Sequence, residues 1–172
     1  MERRKAISQT FGHKVHEGIE KFLTTGSFDE ASEGLNNQQV SALSKLTDWC
    51  FKHDVQVEFS EEPLYSEEHG FAGTPDVIGT LDGKDGLAVI DWKTDSTPRS
   101  KADDLERSFK YQLQNAGYAI LYEENFKKQV NLAWTIRSDK DGKFRVYEYP
   151  DLKEAKRMFL NLLEIHKSIK GK

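Results

Sequence analysis

The sequence has a single cysteine, Cys50, among its 172 residues. One thiol cannot form an intramolecular disulfide, and it cannot by itself supply a four-cysteine zinc site or an iron–sulfur cluster. A reducing, cytoplasmic setting is therefore the simplest expectation. Cys50 falls on the apolar stripe of a predicted helix, so we expect it to be a small core residue rather than a reactive thiol.

Long apolar runs are also missing. No stretch reaches about 18 apolar residues, so no transmembrane helix is expected. The charged start, Met1 to Lys5, is not followed by an apolar segment, which argues against a secretory signal. The net charge of −4 gives no general attraction to nucleic acid, so DNA binding would depend on local basic groups. The length predicts one domain over residues 1–172 with one substantial core.

Hydrophobic periodicity divides the chain into helices and strands. The predicted order is helix, helix, three strands, helix, two strands, helix, which indicates an α/β domain with a central mixed sheet flanked by helices. The predicted helices are Arg3–Leu23, Gln38–His53, Asp103–Tyr122 and Leu152–Ile169, and the predicted strands are Val55–Ser60, Phe71–Leu81, Leu87–Lys93, Val130–Arg137 and Phe144–Tyr149.

Two further expectations concern burial. In the third long helix the predicted buried side is Leu105, Phe109, Leu113, Ala116, Ile120 and Leu121. After the first strand, Pro63 removes a backbone donor, which favours an edge or a bulge. Glu61 and Glu62 beside it could be extra acidic groups near the site, but the preferred interpretation is that they are solvated edge charges.

The most informative stretch is a predicted β-hairpin closed by the Asp-Gly pairs between its strands. Alternate side chains of a strand share a face, so Asp91 and Lys93 continue the face of Leu87 and Val89. The hairpin brings Asp76 within reach of both. Paired carboxylates suit Mg²⁺ or Mn²⁺, and a neighbouring lysine can orient water and offset charge in a transition state.

A simpler interpretation of Asp91 and Lys93 is a surface ion pair, because 31% of the residues are charged. The same acid-x-lysine spacing recurs at Asp82/Lys84, Asp141/Lys143, Asp151/Lys153 and Glu154/Lys156. Those four pairs lie in predicted turns or helices, whereas Asp91 and Lys93 end an apolar strand that pairs with a Pro-Asp strand. This context favours chemistry. His16 and Glu20 share one helix face, for which an exposed helix surface is the simpler alternative.

Four short motifs resemble those of the PD-(D/E)XK nuclease superfamily, and more narrowly its RecB-type exonuclease branch of small phage and repair nucleases. Gly12 to Glu20 resembles a Gly-x-x-x-His-x-x-x-Glu signature, and Gly73 to Asp76 resembles a Gly-x-x-Asp motif. Ile90 to Thr94 resembles an Asp-x-Lys-Thr motif, and Gln114 to Tyr118 resembles a Gln-x-x-x-Tyr motif. The similarity covers about residues 8–150, with the helix at 152–169 as an addition, and it implies a restriction-endonuclease-like αβββαβ core.

The resemblance also implies roles for individual residues. His16, Asp76, Asp91 and the backbone carbonyl of Trp92 would ligate Mg²⁺ or Mn²⁺, and Lys93 would position and activate water. Gln114 and Tyr118 would hold the substrate backbone or brace Lys93. Glu20 would support the ligands, and the cationic Arg99 and Lys101 would contact phosphates. With only Cys50, the chain departs from branch members that carry an iron–sulfur cluster.

The sequence therefore predicts a metal-dependent deoxyribonuclease that hydrolyses phosphodiester bonds from DNA ends, with single- or double-stranded DNA as partner. It would serve recombination, repair or phage DNA metabolism in the cytoplasm of a bacterium or an infected host. One alternative is a non-catalytic DNA-binding or assembly module of the same fold, and another is a structure- or site-specific endonuclease. A homo-oligomer or a recombination partner protein is compatible with each interpretation.

Overall fold

The structure, a computed structural model, describes residues 2–83, 86–95, 101–139 and 143–171. Predicted helices and strands recur in it in the predicted order. The helices are α1 (Glu2–Thr25), α2 (Phe28–Ser32), α3 (Asn37–Lys52), α4 (Lys101–Phe126) and α5 (Lys153–Lys170). The strands are β1 (Gln56–Ser60), β2 (Leu64–Ser66), β3 (Phe71–Gly73), β4 (Val77–Thr80), β5 (Leu87–Asp95), β6 (Val130–Asp139) and β7 (Phe144–Tyr149).

Five strands form the main sheet in the order β1-β4-β5-β6-β7. Strands β1, β4 and β5 are antiparallel neighbours, as are β6 and β7, whereas β5 and β6 run parallel. Parallel neighbours need a long crossover, and α4 provides it. This mixed sheet with flanking helices confirms the predicted α/β fold class.

Strand β5 lies at the centre of the sheet and is buried on both faces. Ala88, Ile90 and Trp92 pack into the core that α1, α2 and α3 complete. Leu87 and Val89 pack into the opposite core, against α4 and α5. The alternation predicted for this strand is therefore correct. It means that Asp91, which follows Val89 on the α4 side, leaves an apolar core at the end of a rigid element.

The predicted strand Phe71–Leu81 is wrong as one element, because it is divided into β3 and β4. Pro75 has no N–H to donate, and the chain turns at Thr74-Pro75-Asp76. Strand β3 instead pairs with β2 in a separate two-stranded sheet. Asn125 at the end of α4 holds this small sheet, since its Nδ2 donates to the Tyr65 carbonyl at 3.0 Å.

The predicted buried side of α4 is wrong at its amino-terminal end. Leu105 is 76% exposed and Phe109 is 46% exposed, although Ala116, Ile120 and Leu121 are buried as expected. The helix has 26 residues and still contacts the sheet at this end, where the Tyr147 and Tyr149 hydroxyls of β7 donate to Asp104 and Ser108. Leu105 and Phe109 each lie one residue further along, about 100° around the helix from those contacts. In the described residues, none of the helices combines the length and the apolar character needed to cross a membrane.

Candidate active site

Asp76 occupies the turn just before β4 and takes over a hydrogen bond that the sheet leaves open. The β4–β5 ladder ends at the pair Val77–Ile90, and the Pro75 carbonyl beyond it accepts from the Glu61 N–H at 3.1 Å. The Trp92 N–H donates instead to Asp76 Oδ2, at 2.7 Å. This bond fixes the carboxylate, and its other oxygen, Oδ1, lies 4.0 Å from Nδ1 of His16.

Asp91 is completely buried, with 0% of its surface exposed. Lys93 Nζ donates to its Oδ1 at 2.6 Å. The hydroxyl of Thr135, on the neighbouring β6, donates to Oδ2 over a longer distance of 3.5 Å. Asn115 of α4 donates in turn to Thr135 Oγ1 at 3.0 Å. Strand β6 and helix α4 therefore hold the carboxylate that β5 delivers.

Lys93 lies between the two aspartates and an aromatic ring. Its ammonium is 5.7 Å from the centroid of the Tyr111 ring, within range of a cation–π contact. Burial by itself lowers the pKa of Lys93, but the Asp91 and Asp76 carboxylates outweigh that effect and raise it. The side chain is therefore an ammonium at neutral pH, which donates hydrogen bonds and cannot accept a proton.

The ionisable groups of the cluster are strongly perturbed, as is common at functional sites. Burial raises the pKa of Asp76 and raises that of Asp91 to about 6. Burial, followed by the nearby Lys93 charge, lowers the pKa of His16. The imidazole is therefore neutral at pH 7, and a neutral imidazole nitrogen is the form that ligates metals.

Helix α1 brings His16 to the site by a close approach at Gly12. A Cβ added at Gly12 would lie 2.5 Å from Oγ1 of Thr94 on β5, closer than any real side chain permits. Any side chain at position 12 would force the Thr94 hydroxyl to turn away, so glycine allows α1 to approach β5 with Thr94 in its present conformation. This contact joins two of the motifs, because the threonine of Asp-x-Lys-Thr packs on the glycine of Gly-x-x-x-His.

The other two motifs meet in the same manner at Gly73. A Cβ there would lie 2.9 Å from Cε1 of Tyr118, so the tyrosine ring rests on the glycine backbone. Gln114 Nε2 donates to the Tyr118 hydroxyl at 2.7 Å. Tyr118 is also electrostatically coupled to Asp76, Asp91 and Lys93. Gly73 of the Gly-x-x-Asp motif therefore provides the surface on which Tyr118 of the Gln-x-x-x-Tyr motif packs.

Glu61, which the sequence favours as a solvated edge charge, lies next to this cluster. Ligand atoms of His16, Glu61 and Asp76 all lie within 4.8 Å of one another. Ser60 pairs with Val77 across β1 and β4, so Glu61 follows that pair opposite Asp76. Antiparallel pairing of β1 with β4 would have indicated that Glu61 lies near Asp76. A register shift between Val57 and Phe59, however, makes simple alternation along β1 unreliable.

The remaining predicted site residues have different positions. The Trp92 backbone lies against the imidazole, because a backbone hydrogen bond to Trp92 contributes to the pKa of His16. Glu20 is exposed on α1, close enough to Glu61 to help raise its pKa. Arg99 lies outside the described residues. Lys101 begins α4, but its side chain is outside the described part of the chain.

The donor set fits a divalent cation. One imidazole nitrogen and several carboxylate oxygens converge at the end of β5, and hard oxygen ligands with an imidazole suit Mg²⁺ or Mn²⁺. Burial makes ionised carboxylates costly in this position, and a bound cation would remove that cost. His16, Asp76 and Asp91, with Glu61 next to them, are the residues that could hold it.

Comparisons with known proteins agree with this geometry. The model of the PD-(D/E)XK nuclease superfamily matches residues 2–167. Among 17 matching chains of solved structures is a protein from Eubacterium rectale that is named, provisionally, as an exonuclease, with a TM-score of 0.53 and 14% identity. The match covers 88% of this chain and 62% of that one, so the present chain spans less than two thirds of its neighbour. No curated protein matches the sequence.

Proposed function

We propose a function from one premise: the chain belongs to the PD-(D/E)XK nuclease superfamily. Membership supports nuclease activity, that is, hydrolysis of phosphodiester bonds, and the divalent-metal dependence of such enzymes. Within that class, we propose that this protein is a Mg²⁺- or Mn²⁺-dependent deoxyribonuclease that removes nucleotides from DNA ends.

The observation that carries the proposal is the convergence of His16, Asp76, Asp91 and Lys93. They come from α1, from the turn before β4 and from the end of β5, yet, after burial, the charges of Lys93, Asp76 and His16 all contribute to the pKa of Asp91. His16 and Asp76 approach to 4.0 Å, and Lys93 and Asp91 approach to 2.6 Å. A surface ion pair would need neither the buried Asp91 nor the imidazole.

The residues divide the chemistry between them. When bound, a divalent cation lowers the pKa of a coordinated water and offsets charge on the phosphate. His16, Asp76 and Asp91 would hold that cation at the end of β5. The rigid β5 strand keeps Asp91 and Lys93 two residues apart on one face, so the ammonium lies directly beside a carboxylate that would hold the cation, at 2.6 Å from Asp91 Oδ1.

Lys93 acts as a hydrogen-bond donor in this mechanism. Its raised pKa keeps the ammonium protonated, so it orients the attacking water and stabilises the charge that develops on the phosphoryl oxygens. A bond forms between the water oxygen and phosphorus and the phosphorus–oxygen ester bond breaks, while the water releases a proton to solvent and the leaving oxygen takes up a proton from solvent. Gln114 and Tyr118, joined by their hydrogen bond, provide donors for the DNA backbone beside the reacting group.

A preference for DNA ends is supported by the name of the Eubacterium rectale neighbour and by the RecB-type character of the four motifs. The test is digestion of end-labelled linear DNA, single- and double-stranded, beside a covalently closed circle of the same sequence. We expect the linear substrates to be degraded and the circle to persist. Cleavage of the circle would establish the endonuclease alternative, and a labelled RNA strand in a parallel reaction tests the choice of nucleic acid.

The site assignment is tested with Asp91→Ala and Lys93→Ala in Mg²⁺ or Mn²⁺. Loss of one preorganised charge-stabilising donor costs about 10²- to 10³-fold in rate, so we expect losses of at least that size. Lys167→Ala is a matched control, because Lys167 is a cation on α5 that pairs with Glu164. Equal activity in all of these proteins would refute the assignment. DNA binding without metal-stimulated cleavage would favour the non-catalytic module.

A further inference from the structure

Glu61 enters the site through an unusual backbone conformation. Its φ is +52°, in the left-handed region that glutamate rarely adopts. Its N–H donates to the Pro75 carbonyl at 3.1 Å, which ties the residue to the segment just before Asp76. Because Ser60 is opposite Val77, Glu61 and Asp76 leave β1 and β4 side by side.

Two carboxylates at opposite positions of neighbouring strands repel each other. Burial of Asp76, which is 14% exposed at its side chain, strengthens that repulsion because little water screens it. A cation between the two carboxylates would turn the repulsion into attraction.

The distances are suitable for shared ligation. Mg²⁺–oxygen bonds measure about 2.0–2.1 Å in octahedral sites, so opposite ligands lie about 4.2 Å apart. The ligand atoms of His16, Glu61 and Asp76 lie within 4.8 Å of one another. Three ligands of an octahedral ion include adjacent pairs about 3 Å apart, so side-chain shifts on the order of 1 Å would bring the three atoms onto one ion. Asp91 differs, because one of its oxygens already accepts from Lys93 at 2.6 Å.

The formal charges support the same conclusion. Asp76, Asp91 and Glu61 carry three negative charges when ionised, and Lys93 carries one positive charge. The net charge of −2 is balanced by one divalent cation. Without Glu61, the two aspartates and the lysine would leave a single uncompensated negative charge.

We propose that Glu61 is a third carboxylate ligand of the catalytic cation, so that the protein loads the ion before DNA binds. This inference rests on the proposed nuclease function for the identity of the site. Mg²⁺ sites that rely on one or two carboxylates usually complete their coordination with substrate phosphates. A site with His16, Asp76, Asp91 and Glu61 has enough protein donors to retain the ion in the absence of DNA.

The test is Mn²⁺ binding to the DNA-free protein, measured by the electron paramagnetic resonance signal of free Mn²⁺ during titration. The proteins are the wild type, Glu61→Gln and the matched control Glu62→Gln, which removes the same charge from the adjacent exposed residue. Even outer-shell changes weaken metal binding about 10- to 100-fold, so we expect a loss of at least tenfold for Glu61→Gln and none for Glu62→Gln. Unchanged binding in Glu61→Gln overturns the proposal.

Glu61→Asp separates ligation from a general electrostatic effect. Aspartate keeps the charge but is one methylene shorter, so a direct ligand should lose most of its binding, whereas a distant charge should not. Wild-type affinity in Glu61→Asp, with weak binding in Glu61→Gln, would overturn direct ligation. Because aspartate tolerates the left-handed region better than most residues, this variant also provides a test if Glu61→Gln does not fold.

The outcome is distinguishable from that of the proposed function. If the wild type binds Mn²⁺ through Glu61 but leaves linear DNA intact, the nuclease proposal fails and the ligand assignment stands. If the wild type degrades DNA in a manner that depends on Asp91 and Lys93, while Glu61→Gln binds Mn²⁺ normally, only the ligand assignment fails. A Glu61 variant that requires DNA to bind Mn²⁺ would support loading before substrate.

Discussion

Replacement of Gly73 with alanine probes the contact that joins the segment before Asp76 to helix α4. The new Cβ would lie 2.9 Å from Cε1 of Tyr118 and 3.2 Å from Cδ1 of Leu121. These separations are too short for carbon atoms, so the tyrosine ring or the backbone must move. Overpacking of this kind costs about 1–3 kcal/mol, and for a domain of this size each kcal/mol lowers Tm by about 2–4 °C.

The same displacement should reduce nuclease activity. The Tyr118 hydroxyl accepts from Gln114 at 2.7 Å, and movement of the ring breaks that hydrogen bond. If the backbone moves instead of the ring, the segment that leads into Asp76 is displaced. Misplacement of reacting groups by about 1 Å can cost about 10²-fold in rate. We therefore expect the nuclease rate to fall by a larger fraction than the free energy of unfolding.

A double-mutant cycle with Tyr118→Leu measures the contact itself. Leucine removes the ring atom that the new methyl group would meet, so Gly73→Ala should cost less in the leucine background. We expect a coupling free energy of about 0.5–3 kcal/mol, measured from urea unfolding followed by circular dichroism. If the two substitutions are additive within about 0.5 kcal/mol, the ring does not rest on Gly73 and the explanation for that glycine is wrong.

Three further predictions concern the surroundings of the site. The metal-free protein should lose stability as pH rises from about 4.5 to 7. Burial, with Asp76 and Glu20 nearby, raises the pKa of Glu61 from 4.5 to about 7, so the folded state retains a proton that the unfolded chain has released. Thermal melts across this range should show the fall, and Glu61→Gln or added Mn²⁺ should reduce it; a flat profile would contradict the raised pKa. Thr135→Val should cost about 1–3 kcal/mol in urea unfolding, since it leaves the buried Nδ2 of Asn115 without its acceptor; an unchanged midpoint would exclude this link. Asn125→Ala should cost about 1 kcal/mol, because Nδ2 donates to the Tyr65 carbonyl, and amide hydrogen exchange should then rise in β2 and β3 before it rises in β5.

Much of the fold could be predicted because its signals are local. Apolar residues at three- and four-residue intervals define α1, α3 and α4, and the alternation in β5 correctly assigns Asp91 to the face of Val89. The Asp-Gly turn predicts the β4–β5 hairpin, whose antiparallel pairing the structure contains. These features depend on neighbours in sequence, which a single chain displays directly.

The errors concern features that depend on distant parts of the chain. The division of β3 from β4 follows from the missing N–H of Pro75 and from the pairing of β3 with β2, and apolar pattern alone does not indicate either. Glu61 reaches the site through a left-handed backbone conformation after a register shift in β1. The alternation of side chains along β1 therefore does not predict that Glu61 lies beside Asp76. Leu105 and Phe109 continue the apolar pattern of α4, but Asp104 and Ser108, one residue before each, are the ones that contact β7, which leaves the two apolar side chains exposed.

The parallel pairing of β5 with β6 has a consequence for the order in which the protein becomes competent during synthesis. The proposed metal ligands and Lys93 all lie within the first 93 residues. The Thr135 hydroxyl of β6, which accepts from Asn115 of α4, donates to Asp91 and helps to hold its carboxylate in place. A nascent chain must therefore expose β6 from the ribosome before its carboxylates are aligned. Translation products that stop before α4 carry His16, Asp76, Asp91 and Lys93 but lack Gln114, Tyr118 and the Thr135 hydroxyl that contacts Asp91.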